Sequence, residues 1–386
     1  MPSMNGVARP AIPGSRVEVV VGPGALDHLP DLVRRHGGTR VLLVTDPGIK
    51  DAGHVERAVR ALYQAGLPVK VFDAVGENPT IIHVGRGVIA SKPFEPDLIV
   101  GLGGGSAMDC GKGINFILTN GGRVADYWGH DKAAKPLLPF IAVPTTAGTG
   151  SDAQSYALIT DPDTHQKMAC GDKSALPRAA VLDPDLTATA PPKVAAATGI
   201  DAVAHAVESA GSTKRTDVSR ALSKQAWTLL EPAFGRVTRD PADAAARQDM
   251  LLGAHVAGAA IENSMLGAAH ALANPLTGLC GVVHGVAVGL MLPHVVRFNA
   301  AGGGTGTHPY ADLAADAEDL ARRIEVLLDA GGLPRTLAAV DVPPAKLPEL
   351  AAMAAKQWTA QFNPRPVGEA ELLAIYRMAA AASSNA

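Results

Sequence analysis

Short apolar runs alternate with helix-like segments through the first half of the chain: RVEVVVG at residues 16–22, RVLLVTD at 40–46, VKVFDAVG at 69–76, PDLIVGLGGG at 96–105 and PFIAVPTT at 139–146. Strand and helix in alternation predict a parallel sheet with helices on its faces. The stretch DPDLTATAPP at 183–192 ends that texture. Beyond it, alanine- and leucine-rich segments such as SRALSKQAWTLL at 219–230 and the stretch at 312–328 carry helical patterning with few β-branched runs. The pattern predicts an α/β domain over residues 1–185 and an all-helical domain over 186–386, the boundary falling inside 182–191. No repeat interrupts either part, and AGGGTGTHP at 301–309 reads as a loop.

Composition narrows the classes. A chain of 386 residues is long for one core, which agrees with two domains. A net charge of −3 with 18% charged residues gives no polyanion-binding signal, so nucleic acid is not an expected partner. The N-terminal MPSMNGVARPAIPGSR has prolines where a signal peptide needs an apolar run, so no export is expected. Between Arg247 and Arg297 there is no Lys or Arg, but His255, Glu262, Asn263, His270, Asn274, Pro275 and His284 interrupt that region too often for a membrane span. It reads as buried protein core. The three cysteines, Cys110, Cys170 and Cys280, lack zinc-cluster spacing and suggest reduced thiols in a cytoplasmic protein.

Two loops point to a phosphate-bearing ligand. DLIVGLGGGSAMDCGKGINFIL reads as strand, glycine turn and helix, which aims backbone N–H groups and a helix N-terminus at an anion. It departs from the usual dinucleotide fingerprint, since Ser106 stands where the third glycine would be if Gly101 and Gly103 are the first two. VPTTAGTGSD at 143–152 is a second strand end followed by hydroxyls and glycines, and open α/β sheets bind ligands at such ends. A third strand ends in Thr45 and Asp46, whose carboxylate suits either a ribose diol or the cap of the following helix.

GIDAVAHAVES places Asp201 and His205 four residues apart, on one face of a helix. Taken alone, the pair fits a buried hydrogen bond as well as half a metal site. AAHALANPLTGLCGVVHG adds His270 and His284, and Pro275, Gly278 and Gly281 are expected to break a helix between them, setting the two histidines on different elements. Three imidazoles and a carboxylate suit Fe²⁺, Zn²⁺ or a neighbouring divalent ion. Four such groups in apolar segments without cationic partners are hard to explain as ordinary core residues.

Read in order, the GPG at 22–24, GGGSxxDxxK, TTAGTGS, LDPDLT, GIDAVAHAVES and HALANPLTGLCGVVHG followed by LMLPHVVRFN resemble the iron-dependent, or group III, alcohol dehydrogenases over nearly the whole chain. The resemblance implies a Rossmann-like dinucleotide domain followed by an all-α metal domain, the architecture shared with dehydroquinate synthase. It implies NAD as cofactor and a divalent metal, Fe²⁺ or another such as Zn²⁺, on Asp201, His205, His270 and His284. It sets Asp46 near the adenosine ribose, Asn78 and Pro79 near the adenine, and Gly103, Gly104, Gly105 and Ser106 at the pyrophosphate. Thr145, Thr146, Thr149 and Ser151 would line the nicotinamide half, with Lys167 reaching toward the cofactor. A homodimer is expected on the same grounds. Two positions depart from well-known members: Asn274 stands where many have a second histidine, and Ile261 where some have phenylalanine. Both are candidates to act at the substrate.

The expected reaction is reversible hydride transfer between a small primary alcohol or its aldehyde and NAD(H), with the metal as Lewis acid. The alternative is a dehydroquinate synthase-type lyase using the same fold, NAD and metal. Its anionic substrate needs several cations around the metal, and residues 248–296 contain none. A third reading is an inactive nucleotide- or metal-binding protein. At Asn274 the expectation is an amide that orients water or a ribose hydroxyl, or else a helix cap before Pro275.

Overall fold

The computed structural model describes residues 6–163, 166–301 and 308–381. The expected loop at 301–309 therefore lies largely outside the described residues, as do the first five residues of the N-terminal segment. Chain contacts divide the protein into two units, Met1–Ala190 and Pro191–Ala386.

The first unit is built on a six-stranded sheet, β1 (Glu18–Val21), β2 (Val41–Val44), β3 (Val69–Phe72), β4 (Leu98–Gly103), β6 (Phe140–Pro144) and β9 (Ala179–Leu182), in the order β1-β9-β6-β4-β2-β3. All pairings within it are parallel. Helices α1 (Leu29–Arg35), α2 (Pro47–Asp51), α3 (His54–Gln64), α4 (Ile81–Ser91) and α5 (Gly105–Asn120) are interspersed with the strands. Two buried clusters pack against the sheet, one including Leu26, Leu43 and Val100, the other Leu42, Ile99 and Phe140. Side chains along a strand alternate in direction, so strands buried on both faces read as the continuous apolar runs LIV and VLLV.

Strand order fixes where a ligand can sit. From β2 the chain goes outward to β3, then returns to β4 on the opposite side of β2. Such a reversal opens a crevice beyond the carboxyl ends of the two strands at the switch. Register brings those ends together, with Val44 opposite Gly101 and Gly103 opposite Pro144. Thr45, the Gly103–Gly105 turn and Thr145 therefore follow directly from neighbouring strand ends.

Two features of this unit were not visible as patterns. Strand β9, AAVL, has neither alternation nor a β-branched run, and becomes a strand by pairing between β1 and β6. A small sheet, β5 (Gly129–His130), β7 (Tyr156–Thr160) and β8 (Lys167–Gly171), is ordered β5-β8-β7. The unit ends at Ala190, inside the expected 182–191 window and five residues beyond 185. Leu186 is fully buried in its core, and the Asp183 carboxylate accepts hydrogen bonds from the backbone N–H groups of Gly24 and Leu26.

The second unit is helical throughout its described residues: α6 (Pro192–Gly211), α7 (Asp217–Arg239), α8 (Ala244–Glu262), α9 (Ala268–Cys280), α10 (His284–Ala300), α11 (Ala317–Ala330), α12 (Leu347–Ala354) and α13 (Glu369–Ala381). Helix α6 packs against α7, α8 and α10 and is buried from Ile200 to Gly211. Its small residues permit this, since Gly199 faces Phe234 and Gly211 faces Tyr310 with no room for a Cβ. No helix among the described residues is long and apolar enough to cross a membrane.

One expectation about this unit fails. Pro275 and Gly278 do not break the helix after His270, because α9 continues through both and ends only at Gly281, in the left-handed conformation. Proline inside a helix removes one backbone hydrogen bond and strains the turn before it, at a cost of about 3 kcal/mol. Packing of α10, α12 and α13 against α9 offsets that, and the Tyr376 hydroxyl donates to the Leu272 carbonyl at 2.6 Å. The two histidines still fall on different helices.

A charged side chain ties the glycine-turn helix to the second loop. Lys112 on α5 is fully buried, and its Nζ donates to the carbonyls of Ser151 (2.6 Å), Gln154 (2.7 Å) and Tyr156 (3.0 Å). Lys112→Met is expected to lower the stability of the protein by about 3–5 kcal/mol, because those carbonyls lose their donor in a dry interior. Urea unfolding followed by circular dichroism checks this, and an unchanged midpoint would refute the tether.

Candidate active site

The sharpest concentration of unsatisfied polarity lies in the second unit. Asp201 and His205 project from α6, His270 from the first turn of α9, and His284 from the first residue of α10. Potential ligand atoms of Asp201, His270 and His284 all lie within 4.8 Å of one another. His205 completes the group from one side, with Nε2 3.6 Å from Asp201 Oδ1 and its ring stacked on His270 at 5.0 Å between centroids. The His270 and His284 ring centroids are 5.5 Å apart. Asp201 Oδ1 and His270 Nε2 are buried, 3.4 Å apart, and neither has a hydrogen-bond partner. Buried polar atoms left so are uncommon and costly, and a shared cation would satisfy both.

Electrostatics agree. Burial works to raise the Asp201 carboxyl, but the charge of His205, the contact with His270 and the charge of His284 outweigh it and hold the group below the usual carboxylate range. Burial lowers His270, yet the neighbouring Glu208 and Asp201 carboxylates together lift it to about 9. A cluster that draws a proton onto His270 is one that favours positive charge. A cation must displace that proton to bind, so uptake weakens as pH falls.

Glu208, in the same GIDAVAHAVES motif, is a functional residue that spacing alone does not reveal. Three residues beyond His205, it lies on the same helical face, and its carboxylate accepts from His270 Nδ1 at 2.5 Å and from the Ala269 backbone N–H at 2.7 Å. The signal for it was a lone carboxylate at i+3 in an otherwise apolar helix. Gly285 was also missed. A Cβ there would sit 1.9 Å from the Ala197 carbonyl oxygen and 3.3 Å from Asp201 Cβ, so only glycine lets the start of α10 lie against α6. That approach is what carries the adjacent His284 to Asp201.

The first unit contains a separate cradle. Gly103 has φ 151°, and a Cβ on it would collide with Ala107 at 2.8 Å and crowd Asp46 Oδ2 at 3.2 Å. A Cβ on Gly105 would meet the Thr149 side chain at 2.7 Å. Helix α5 begins at Gly105, so Ser106 lies in its first turn. Asp46 caps α2, Oδ1 accepting from Ile49 N at 3.1 Å. The cap is thus real, and it leaves Oδ2 beside the glycine turn. Thr45 and Thr145 are buried with hydroxyls that have no hydrogen-bond partner. Glycines that cannot be enlarged, a helix N-terminus and orphaned hydroxyls at adjoining strand ends fit a nucleotide. Ser151 is different from its expected neighbours, because its hydroxyl donates to Asp109 at 2.6 Å and receives Lys112 at 3.1 Å. Its side chain serves the scaffold of the loop.

The other expected positions are more scattered. Thr146 is half-buried, its Oγ1 3.5 Å from where a Cβ on Gly104 would lie. Asn78 is exposed with φ 50°, and Pro79 is buried, its carbonyl accepting from Thr160 N at 2.9 Å. Lys167 is exposed at the start of β8. Ile261 is buried in the last turn of α8. Asn274 lies one turn after His270 within α9, and its Nδ2 donates to Gln357 Oε1 at 3.0 Å. Since α9 runs on to Cys280, Asn274 does not cap a helix end.

A parallel sheet with a glycine turn at its switch point, and a helical unit with a buried Asp–His cluster, define a nucleotide-dependent enzyme with a metal centre. Residues 17–184 match the family described as iron-containing alcohol dehydrogenase, and residues 195–380 match the C-terminal part of the same family. The chain belongs to the iron-containing alcohol dehydrogenase family. It is 39% identical to alcohol dehydrogenase 4 of Schizosaccharomyces pombe over 72% of this chain and 66% of that one. It is 35% identical to 1,3-propanediol dehydrogenase of Klebsiella pneumoniae over 93% of this chain and 96% of that one. A crystal structure of a 1,3-propanediol oxidoreductase superposes with TM-score 0.87 at 34% identity, covering 93% of this chain and 96% of that one. As a member of this family, the protein is an NAD-linked alcohol/aldehyde oxidoreductase that uses a metal. The lyase alternative is not favoured.

Gly285→Ala is expected to move the start of α10 away from α6 and to weaken retention of a divalent ion at least tenfold, with NADH binding unchanged. Metal stoichiometry after gel filtration, beside NADH fluorescence titration, checks both halves. Wild-type metal content in the variant would show that this close approach does not govern His284.

Proposed function

We propose that the protein interconverts a small primary alcohol and its aldehyde, with Asp201, His205, His270 and His284 holding a divalent ion, Fe²⁺ by family and Zn²⁺ as the competitor favoured by intrinsic affinity. The observation that carries this reading is the pair of buried, unpartnered atoms Asp201 Oδ1 and His270 Nε2 at the centre of a group drawn from three helices. A divalent ion there supplies Lewis acidity toward the alcohol oxygen, and NAD supplies the hydride acceptor. The rest is the work of this chain. Asp201 contributes the compensating negative charge. Gly103, Gly104, Gly105 and Ser106 admit a pyrophosphate to the N-terminus of α5. Thr145 offers its hydroxyl to the nicotinamide end of the cofactor, Thr146 and Thr149 pack the turn, and Asn78 and Pro79 border the adenine. Lys167 is assigned to the cofactor by its place in the family pattern.

Asn274 and Ile261 are assigned to the substrate. Paired with Gln357, the Asn274 amide can orient a water or hydroxyl but cannot titrate, so it relays no proton through its own ionisation. Ile261 is smaller than phenylalanine and leaves that wall wider, favouring chains longer than two or three carbons. The propanediol named for the Klebsiella relative is a three-carbon primary alcohol, at the short end of that range. Cytoplasmic location is supported by three free cysteines, two of them with thiols pushed up to about 12 by burial and hence unreactive at neutral pH. A homodimer rests on the family resemblance.

The central test is an alcohol and aldehyde panel with metal-stripped protein reloaded with Fe²⁺, Zn²⁺, Mn²⁺ or Ni²⁺. Turnover of primary alcohols that returns with metal supports the reading, and full turnover without metal refutes it. His270→Ala and His284→Ala are each expected to abolish turnover and metal retention while NADH still binds, because the ligands and the glycine cradle belong to different units. Full metal occupancy by elemental analysis in either variant would sink the assignment.

Asp46 is expected to make NAD strongly preferred over NADP, because its carboxylate repels a 2′-phosphate. Asp46→Asn keeps an acceptor for the α2 cap while removing the charge, and should narrow the preference about tenfold, equivalent to about 1.4 kcal/mol. Ratios of kcat/KM for the two cofactors measure it. Wild-type protein that uses NADPH as readily as NADH contradicts the role.

A further inference from the structure

We propose that Glu208 is the positioning residue that locks His270 in the one tautomer able to bind a cation, using the same carboxylate that caps helix α9. The inference rests on the four-ligand reading above and goes beyond it to a residue outside the ligand set. Glu208 is only 4% exposed, and its two oxygens face two different groups: Oε2 is 2.5 Å from His270 Nδ1 and Oε1 is 2.7 Å from the backbone nitrogen of Ala269. An ionised carboxylate is an acceptor only, so both partners must donate to it. The backbone N–H can do nothing else, and His270 therefore carries its proton on Nδ1. In the neutral ring that leaves the lone pair on Nε2, the atom 3.4 Å from Asp201 Oδ1 and turned into the cluster.

The geometry is held from several sides. Glu208 follows Asp201 by seven residues and His205 by three on α6, so one helical face supplies two ligands and the support of a third. Gly267 makes room for the carboxylate, since a Cβ there would stand 3.1 Å from Glu208 Oε1 and from Asn363 Oδ1. The next N–H, that of Ala268, is given to Asn363 Oδ1 at 3.3 Å. Asn363 is itself fixed, donating to Asn299 Oδ1 at 2.7 Å and to the Arg365 carbonyl at 2.7 Å. The start of α9 is thereby anchored by two buried side chains, and the orientation of the imidazole two residues into the helix follows from that anchor. Outer partners of this kind fix ligand rings in metal sites generally, and their loss costs on the order of 10–100-fold in metal affinity.

Glutamine at this position distinguishes the proposal from a simple packing role. It has nearly the same shape, but one oxygen and one NH₂ must now face two donors. Either the Ala269 N–H meets an NH₂, or His270 Nδ1 becomes the acceptor and its proton moves to Nε2, where it blocks the cation.

Zn²⁺ affinity of metal-stripped protein, measured by competition with a chromophoric chelator, tests this in wild type, Glu208→Gln and His270→Ala, with NADH fluorescence titration and thermal unfolding of the metal-free proteins alongside. Glu208→Gln is expected to lose 10–100-fold in Zn²⁺ affinity with its NADH affinity unchanged. Affinity within twofold of wild type in Glu208→Gln, while His270→Ala loses binding, overturns the role of Glu208 and leaves the ligand reading intact. Unaltered Zn²⁺ binding in His270→Ala instead overturns the ligand reading. Imidazole ¹⁵N shifts of the Zn²⁺-loaded wild type need no variant, so they decide the matter even if Glu208→Gln does not fold. A protonated Nδ1 with Nε2 ligated is expected, and the reverse arrangement overturns the proposal.

Discussion

A carboxylate inside an alanine-rich helix has to be compensated, and the second unit is organised around doing so for Asp201. Helix α6 is buried along its C-terminal half, where water cannot share the charge. His205 lies one turn away on the same helix, while His270 and His284 are brought in at the starts of α9 and α10. Each approach depends on a residue with no chemistry of its own. Gly285 lets α10 rest on the Ala197 carbonyl, and Gly267 leaves space for Glu208 and Asn363 at the start of α9. The small residues are thus as necessary to the cluster as its Asp and His side chains, because they decide how close the backbones can come.

The first unit solves a related problem with the opposite sign. Lys112 is a fully buried ammonium whose compensation comes from the backbone carbonyls of Ser151, Gln154 and Tyr156, at and just beyond the end of the second loop, with Ser151 bridging to Asp109. The effect is to join the glycine-turn helix to the end of the threonine-rich loop through buried hydrogen bonds. Part of what reads in sequence as a ligand-binding motif is spent on this scaffold. Ser151 illustrates it, since its position in TTAGTGS suggests a nicotinamide contact while its hydroxyl is already engaged on both sides.

Much of this was legible because local patterns carried it. The apolar runs of five parallel strands, the glycine turn, the change to helix and the i, i+4 placement of Asp201 and His205 all follow from short-range periodicity. The reading failed where neighbours outweighed local preference. Pro275 and Gly278 ought to end a helix, yet α9 continues because other helices pack along it. Strand β9 is too short and too plain to recognise without β1 and β6 on either side. Glu208 was in view as a lone carboxylate, but its partners are 61 and 62 residues away.

By itself, then, the sequence determined the kinds of element, their order, and which side chains carry charge or ligating atoms, since these depend on composition and on spacing within a few turns. Tertiary structure alone decided which distant residues meet: that Lys112 finds three carbonyls, that Glu208 holds His270, and that Gly285 delivers His284 to Asp201. The reason is physical. Burial removes water as the default partner of every polar group, and the partner that replaces it is chosen by the packing of elements far apart in the chain.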